Sequence, residues 1–258
     1  MREQAILRGD AAGSDTERPE SARAAVRVAS ELDVRVAWDL VLVTVLAPQL
    51  APVLPALEAS AARRIMFMFN TFEPIAPLRD AVGAGRFSFG FPMGVFTLLI
   101  HGKIHPQVRP GTTVDDPLFA QLFSAAGIPT VVERDMQSWL RSHAALVAPL
   151  MAIGVLVHTR GAGATWGEAA AHARAFAAGF ALVHAQGNPI LPKFVGVLAS
   201  LPAWAMTPLF WILSRGKLLS DLGRLGTAEP RMLVDMMHSA ALQLNVPLLA
   251  APLLAIRP

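Results

Sequence analysis

Among the groups able to do acid–base or electrostatic chemistry, Arg141 and His143 follow Trp139 in the run WLRSHAALVAPL. Arg141 stays protonated at any working pH, so it can stabilise a developing alkoxide but is a poor proton donor. His143 is the better acid near neutrality, yet it lies two residues on, which on a helix points to a different face. Its plainer role is that of a polar residue near a domain interface. His101 and His105 have the spacing of a helical metal pair. However, IHGKIHP contains a glycine, ends in proline and reads as strand and turn, and with no third ligand nearby no metal site is expected. His158, His172, His184 and His238 stand singly and read as packing or surface residues. Asp115 and Asp116 precede Pro117 and are expected to cap a helix. The chain has no cysteine, which excludes disulfides, thiolate metal sites and a cysteine nucleophile, and no Gly-x-Ser-x-Gly elbow occurs.

The elements that must position these groups are announced by residues 39–57, DLVLVTVLAPQLAPVLPAL. The aliphatic run 40–46 predicts a strand covered on both faces, as in a parallel α/β sheet. Ala47, Pro48 and Gln49 break it, and Leu50, Val53, Leu54 and Leu57 follow at helical spacing. Residues 44–49 therefore lie at a strand's carboxyl end, where ligands bind in open α/β sheets. Further strands are predicted at 34–37, 64–69, 87–91, 97–104 and 130–133, with one short helix over 20–32 in an otherwise loose first 30 residues. From Met136 the pattern changes to long Ala- and Leu-rich stretches broken at 161–163 and 187–189. The expected fold class is α/β plus all-α, with an α/β domain over 1–134 and a helical domain over 135–258.

At these residues the chain resembles the ketopantoate reductases (2-dehydropantoate 2-reductases), whose run here is close to DLVLVTVKAxQ. The likeness continues through 64–69 into Asn70, where the family carries an Asn-Gly turn beside the nicotinamide, and through PLRDAVGAGRFSFGFP at 77–92. It is weaker in the spacing of Asp221, Gly223, Arg224 and Glu229. The resemblance implies a Rossmann-like N-terminal domain, a C-terminal domain of the 6-phosphogluconate-dehydrogenase-like type, and hydride transfer from NADPH to a small 2-keto acid. It implies cofactor contacts at Thr44, Val45, Gln49 and Asn70, and catalytic roles for Asn70 and Glu229. The family's general acid is a lysine in a pattern like WxKLxxN. Here Arg141 stands at its place and Ala145 at the asparagine's, so Arg141 and the nearby His143 are the candidates for that catalytic role. Lys217 replaces the family's substrate-binding serine and, with Asp221, is a candidate substrate contact. Leu46 replaces a cofactor-contacting lysine.

A dinucleotide fold opens with a strand, a Gly-x-Gly-x-x-Gly turn and a helix. Residues 1–37 contain only Gly9 and Gly13, in a polar run. The family's first βαβ unit, roughly 30 residues, is therefore expected to be missing, the N-terminal domain to be incomplete, and NADP binding by this chain to be weak. Gly83 with Gly85, and Gly161 with Gly163, lie in helical contexts that do not replace it.

Composition bounds the partners. The chain has 258 residues, 53% of them hydrophobic, enough for a substantial core. The net charge is +3, but the basic residues are scattered and not interleaved with aromatics, so no nucleic acid is expected. Residues 194–213 carry no charge over about 20 residues, the length of a spanning helix. Pro202 and Pro208 fall inside that segment and argue against a span. It reads instead as one or two buried helices at a subunit interface, which predicts a homodimer. The N-terminus shows no signal-peptide core, and the expected compartment is the cytoplasm. Three functions follow: the reductase, a non-catalytic relative acting as a dimerising scaffold, and a membrane-associated protein.

Overall fold

The computed structural model describes the backbone of residues 2–8, 21–93, 95–100, 103–108 and 111–258, and the side chains of 27–93 and 111–258. Gly9, Gly13, His101 and the His105 side chain lie outside the described residues. The chain divides into two compact units. One comprises Met1–Val45, Gln49–Phe69 and Ala76–Met136; the other comprises Leu46–Pro48, Asn70–Ile75 and Gln137–Pro258.

The strands of the first unit are β1 (Arg2–Arg8), β2 (Ser21–Arg27), β3 (Val41–Val43), β4 (Ile65–Phe67), β5 (Phe87–Pro92), β6 (Val95–Ile100), β7 (Lys103–Val108), β8 (Thr112–Val114) and β9 (Thr130–Val132). Its helices are α1 (Leu54–Ala59), α2 (Ala76–Val82) and α3 (Pro117–Ala125). They make a five-stranded sheet of order β3-β4-β5-β8-β9 and a four-stranded sheet of order β2-β1-β7-β6. In the larger sheet β3, β4 and β5 run parallel, and β8 joins β5 antiparallel. Every position of Ile65, Met66 and Phe67 is buried, as a central strand covered on both faces requires. The rings of Phe67, Phe69, Phe87 and Phe89 pack as one cluster, while Met66, Met68, Val114 and Phe119 form another.

Several predicted elements are corrected. The run 40–46 shrinks to the three residues of β3, which lies at the sheet edge, and Leu42 is 45% exposed, so cover on both faces does not hold there. Residues 34–37 form a turn and not a strand, because the Asp33 carboxylate accepts the Arg35 N–H at 3.1 Å and the Asp33 carbonyl accepts the Val36 N–H at 3.2 Å. Residues 21–27 pair antiparallel with β1 instead of forming a helix, a case of ladder pairing overriding the helical preference of alanine. The single strand expected at 97–104 is two strands, β6 and β7, paired antiparallel. Only Asp116 caps α3, accepting the Leu118 N–H at 2.8 Å, whereas Asp115 takes the Ser88 hydroxyl and the Phe89 N–H.

The second unit contains α4 (Met136–Arg160), α5 (Trp166–Ala185), α6 (Lys193–Ala199), α7 (Ala203–Leu213), α8 (Lys217–Gly223), α9 (Ala228–Gln243) and α10 (Pro247–Leu254). Gly161, at φ 69°, ends α4, and a capping box of Thr165 and Glu168 starts α5. Phe176, Phe180 and Phe210 pack edge to face in its core. Helix α4 is long and apolar enough to cross a membrane, but 67% of its most apolar window is buried within the chain itself. Residues 194–213 are two helices bent by 105°, each half-buried. Val195, Met206 and Phe210 face the core, while Phe194, Val197, Trp204 and Ile212 face outward.

Helices α4 and α8 cross at two glycines. A Cβ on Gly223 would lie 2.1 Å from the Gly154 carbonyl oxygen and 2.8 Å from the His158 Cβ. The backbones approach this closely only because neither position carries a side chain. Gly223→Ala should destabilise the chain by about 1–3 kcal/mol, the usual penalty of overpacking, or about 2–4 °C of Tm per kcal/mol at this chain length. Thermal and urea unfolding are the measurements, and an unchanged midpoint would mean that the crossing relaxes freely.

Candidate active site

The segment Asn70–Ile75 follows β4 in the chain but packs with the helices. Phe72 is fully buried among the α4, α5 and α9 side chains of the helical core. Gln137, in the first turn of α4, ties down the segment by accepting the Ile75 N–H at 2.8 Å and donating to the Glu73 carbonyl at 3.2 Å. The Thr71 hydroxyl accepts the Glu73 N–H at 3.0 Å and closes a local turn.

This docking delivers Asn70 to α9. Its Nδ2 donates to Glu229 Oε1 at 3.2 Å, across 159 residues of sequence. Glu229 sits in the first turn of α9, where the helix dipole favours a carboxylate. Burial works against the charge, prevails, and pushes its pKa above the ordinary value; the Asn70 hydrogen bond opposes this only in part. Asn70 Oδ1 is buried with no hydrogen-bond partner, an acceptor available to a ligand.

A second cluster is built on α4. Ser138 and Ser142, four apart and fully buried, share one face. The Ser138 hydroxyl accepts Asn188 Nδ2 at 3.0 Å, and the Ser142 hydroxyl accepts the Leu191 N–H at 3.0 Å, so together they hold the segment after α5. Between them in sequence, Arg141 donates through Nε to the Phe72 carbonyl at 3.2 Å and through Nη1 to Asn188 Oδ1 at 2.5 Å. Its guanidinium also faces the Phe72 ring, 5.8 Å from the centroid. Burial pushes the Arg141 pKa below its ordinary value, with the Glu73 charge partly opposing.

The structure thus joins Asn70 to Glu229, and Arg141 to the same 70–75 segment through Phe72. Other candidates stand elsewhere. Thr44 and Gln49, both exposed, and Val45, half-buried, belong to the α/β unit. Lys217 is exposed at the start of α8 and makes no hydrogen bond or ion pair among the described residues. Asp221 faces Arg224 at 3.8 Å, both about half exposed, a contact worth little in water. His143 is buried and stacked on Trp139, ring centroids 5.0 Å apart and nearly parallel, and burial pushes its pKa down to about 4. It is therefore neutral near pH 7 and has no proton to spare for a general acid's task. Among the described residues no group of three His, Asp or Glu could hold a metal ion. Ser138, Ser142 and Asn188 escaped sequence reasoning; the signal available was a pair of serines at helical spacing astride Arg141, in an otherwise apolar helix.

His143 makes stability sensitive to acid. The unfolded chain protonates its histidine near pH 6.5 and the folded chain only near 4. Between those values the unfolded state binds more protons, so stability is full above about 6.5 and falls as pH drops, by about 3 kcal/mol at most. His172, whose pKa burial also lowers, adds in the same direction. Urea midpoints at pH 7.5 and pH 5 should differ more for the wild type than for His143→Gln; equal differences would place the acid sensitivity elsewhere.

No family model matches the sequence, and no curated protein matches it. Solved structures do. A dimeric ketopantoate reductase from Staphylococcus aureus superposes with a TM-score of 0.64 at 12% identity, covering 99% of this chain and 86% of that one. The 2-dehydropantoate 2-reductase from Methylococcus capsulatus gives 0.62 at 16% identity over 98% and 81%. D-mandelate dehydrogenase in complex with NADH gives 0.61 at 10% identity over 87% and 78%. The chain has the fold of the ketopantoate reductases: a Rossmann-like α/β part followed by a helical part.

Proposed function

We propose that this chain is a cytoplasmic, nicotinamide-dependent reductase of a small 2-oxo acid, with Asn70 and Glu229 at the reacting centre. The pair itself carries the proposal. Two residues far apart in sequence meet in a partly buried contact that leaves one acceptor atom of the buried Asn70 unused. A carboxyl group lifted above its usual pKa keeps its proton to higher pH than an ordinary one and can give it to a carbonyl oxygen. Asn70 Nδ2 then stabilises the carboxylate left behind, and Asn70 Oδ1 can accept an N–H from a bound amide or an O–H from substrate. When bound, NADPH supplies the hydride to the carbonyl carbon.

The nicotinamide end suits the unused Asn70 acceptor, but the pyrophosphate end finds no seat among the described residues. Helix α1 is six residues long, and the N-terminus of α3 already holds the Asp116 carboxylate, which fills the place an anion would take. NADPH should therefore bind more weakly than micromolar. Fluorescence titration of the purified chain measures this, and tighter binding would reveal a substitute phosphate site.

With NADPH and 2-oxo acid in excess, Asn70→Ala should lower turnover by about ten- to a thousandfold, the span for losing one positioned polar contact. Glu229→Gln should do the same, and wild-type activity should fall as pH rises through the raised Glu229 pKa, since the acid form gives the proton. If both variants leave kcat/KM unchanged, the non-catalytic scaffold replaces the reductase. Arg141 at a proton donor's place is the observation that favours that second reading.

We also propose a homodimer through α6 and α7, which expose Phe194, Val197 and Ile212 and a Trp204 that is 78% exposed. Light scattering without detergent should give twice the chain mass, and Trp204→Glu should halve it. A monomer would refute the interface, and dependence on detergent would favour a membrane surface.

A further inference from the structure

Arg141 is a buried cation with no carboxylate in ion-pair contact among the described residues, and the Glu73 charge acts on it only from farther off. It is 8% exposed, yet both of its hydrogen bonds go to neutral oxygens, the Phe72 carbonyl and the Asn188 amide. Among the described residues no carboxylate lies within ion-pair distance of it. Charges inside proteins are as a rule paired, because an isolated one loses its hydration with nothing in return. A guanidinium has five N–H donors in a rigid fork, and only two are used here. The unused three are one on Nη1 and both on Nη2. The fork is also held in place: Asn188 presents Oδ1 to Arg141 because its Nδ2 is committed to Ser138, and Nε is fixed by the backbone of a buried segment.

We propose that the unused donors of Arg141 are the seat of a small organic acid's carboxylate, with Asn188 and Ser138 as the residues that position it. A planar fork matches a carboxylate's two oxygens, which an ammonium cannot copy. The inference rests on the 2-oxo acid reading above and sharpens it. The position that resembles a proton donor's place serves here to hold substrate, and the proton is left to Glu229.

Calorimetry on the whole chain tests this with pyruvate, 3-methyl-2-oxobutanoate, its methyl ester and inorganic phosphate as probes. The free acid should bind at least tenfold more tightly than the ester and more tightly than phosphate. Arg141→Lys should lose tenfold or more in affinity for the acid and nothing for the ester. Asn188→Asp is the sharper variant, since it places a carboxylate against Nη1: Tm should hold or rise while acid binding disappears, and a merely structural asparagine would not separate the two. Equal binding of acid and ester, equal binding of phosphate, or an Asn188→Asp protein that binds the acid normally would each overturn the proposal. Failure of the reductase reading looks different. There the acid binds as expected but no NADPH is consumed, whereas reduction of acid and ester with equal KM would keep the reductase and remove the carboxylate seat.

Discussion

A guanidinium buried in the helical core is the constraint on which the rest of that unit depends. Arg141 can stay inside only if oxygen atoms reach it, and they come from two segments remote in sequence, at Phe72 and Asn188. Each of those segments must then be held. Phe72 is held by burying its ring in the core, Asn188 by Ser138, and the chain just beyond it by Ser142. Removing either acceptor would leave a desolvated charge with less compensation, a cost on the order of several kcal/mol. One side chain thus couples the packing of α4 to the placement of the 70–75 segment, and through it to Asn70.

The same docking sets the chemistry of Glu229. Its place in the first turn of α9 favours the charged form by about 0.3–1 kcal/mol, up to about 2 in partly buried settings. Desolvation acts the other way and is the larger effect, which is why the pKa rises. Burial therefore turns a carboxyl in a helix's first turn into a candidate proton donor. His143 shows the converse. Burial beside Trp139 pushes its pKa down and makes it part of the packing.

Helix α8 illustrates how a core contact exposes a candidate. The Gly154 and Gly223 backbones meet so closely that α8 cannot turn about its axis. With Leu219 and Gly223 fixed inward, Lys217 is left facing water. A substrate role for Lys217 would need a contact this packing does not provide among the described residues.

Several elements, and the change from strands to helices, were legible in the sequence alone. Met136 as the start of the helices, the glycine break after Arg160, the central strand at 65–67 and the cap at Asp116 all followed from local signals: apolar periodicity, left-handed glycine and side-chain capping. Local signals failed at residues 21–27, where pairing with β1 overrode alanine's helical preference, and at Leu42, whose exposure depends on which strand lies at the sheet edge. Asn70 and Glu229 were legible as residue types, but their contact was not, because no periodicity links positions 159 apart. Asn188 passed for a turn residue; only the tertiary structure showed it gripping Arg141, since hydrogen bonding between distant segments depends on where packing brings them, which a linear pattern does not encode.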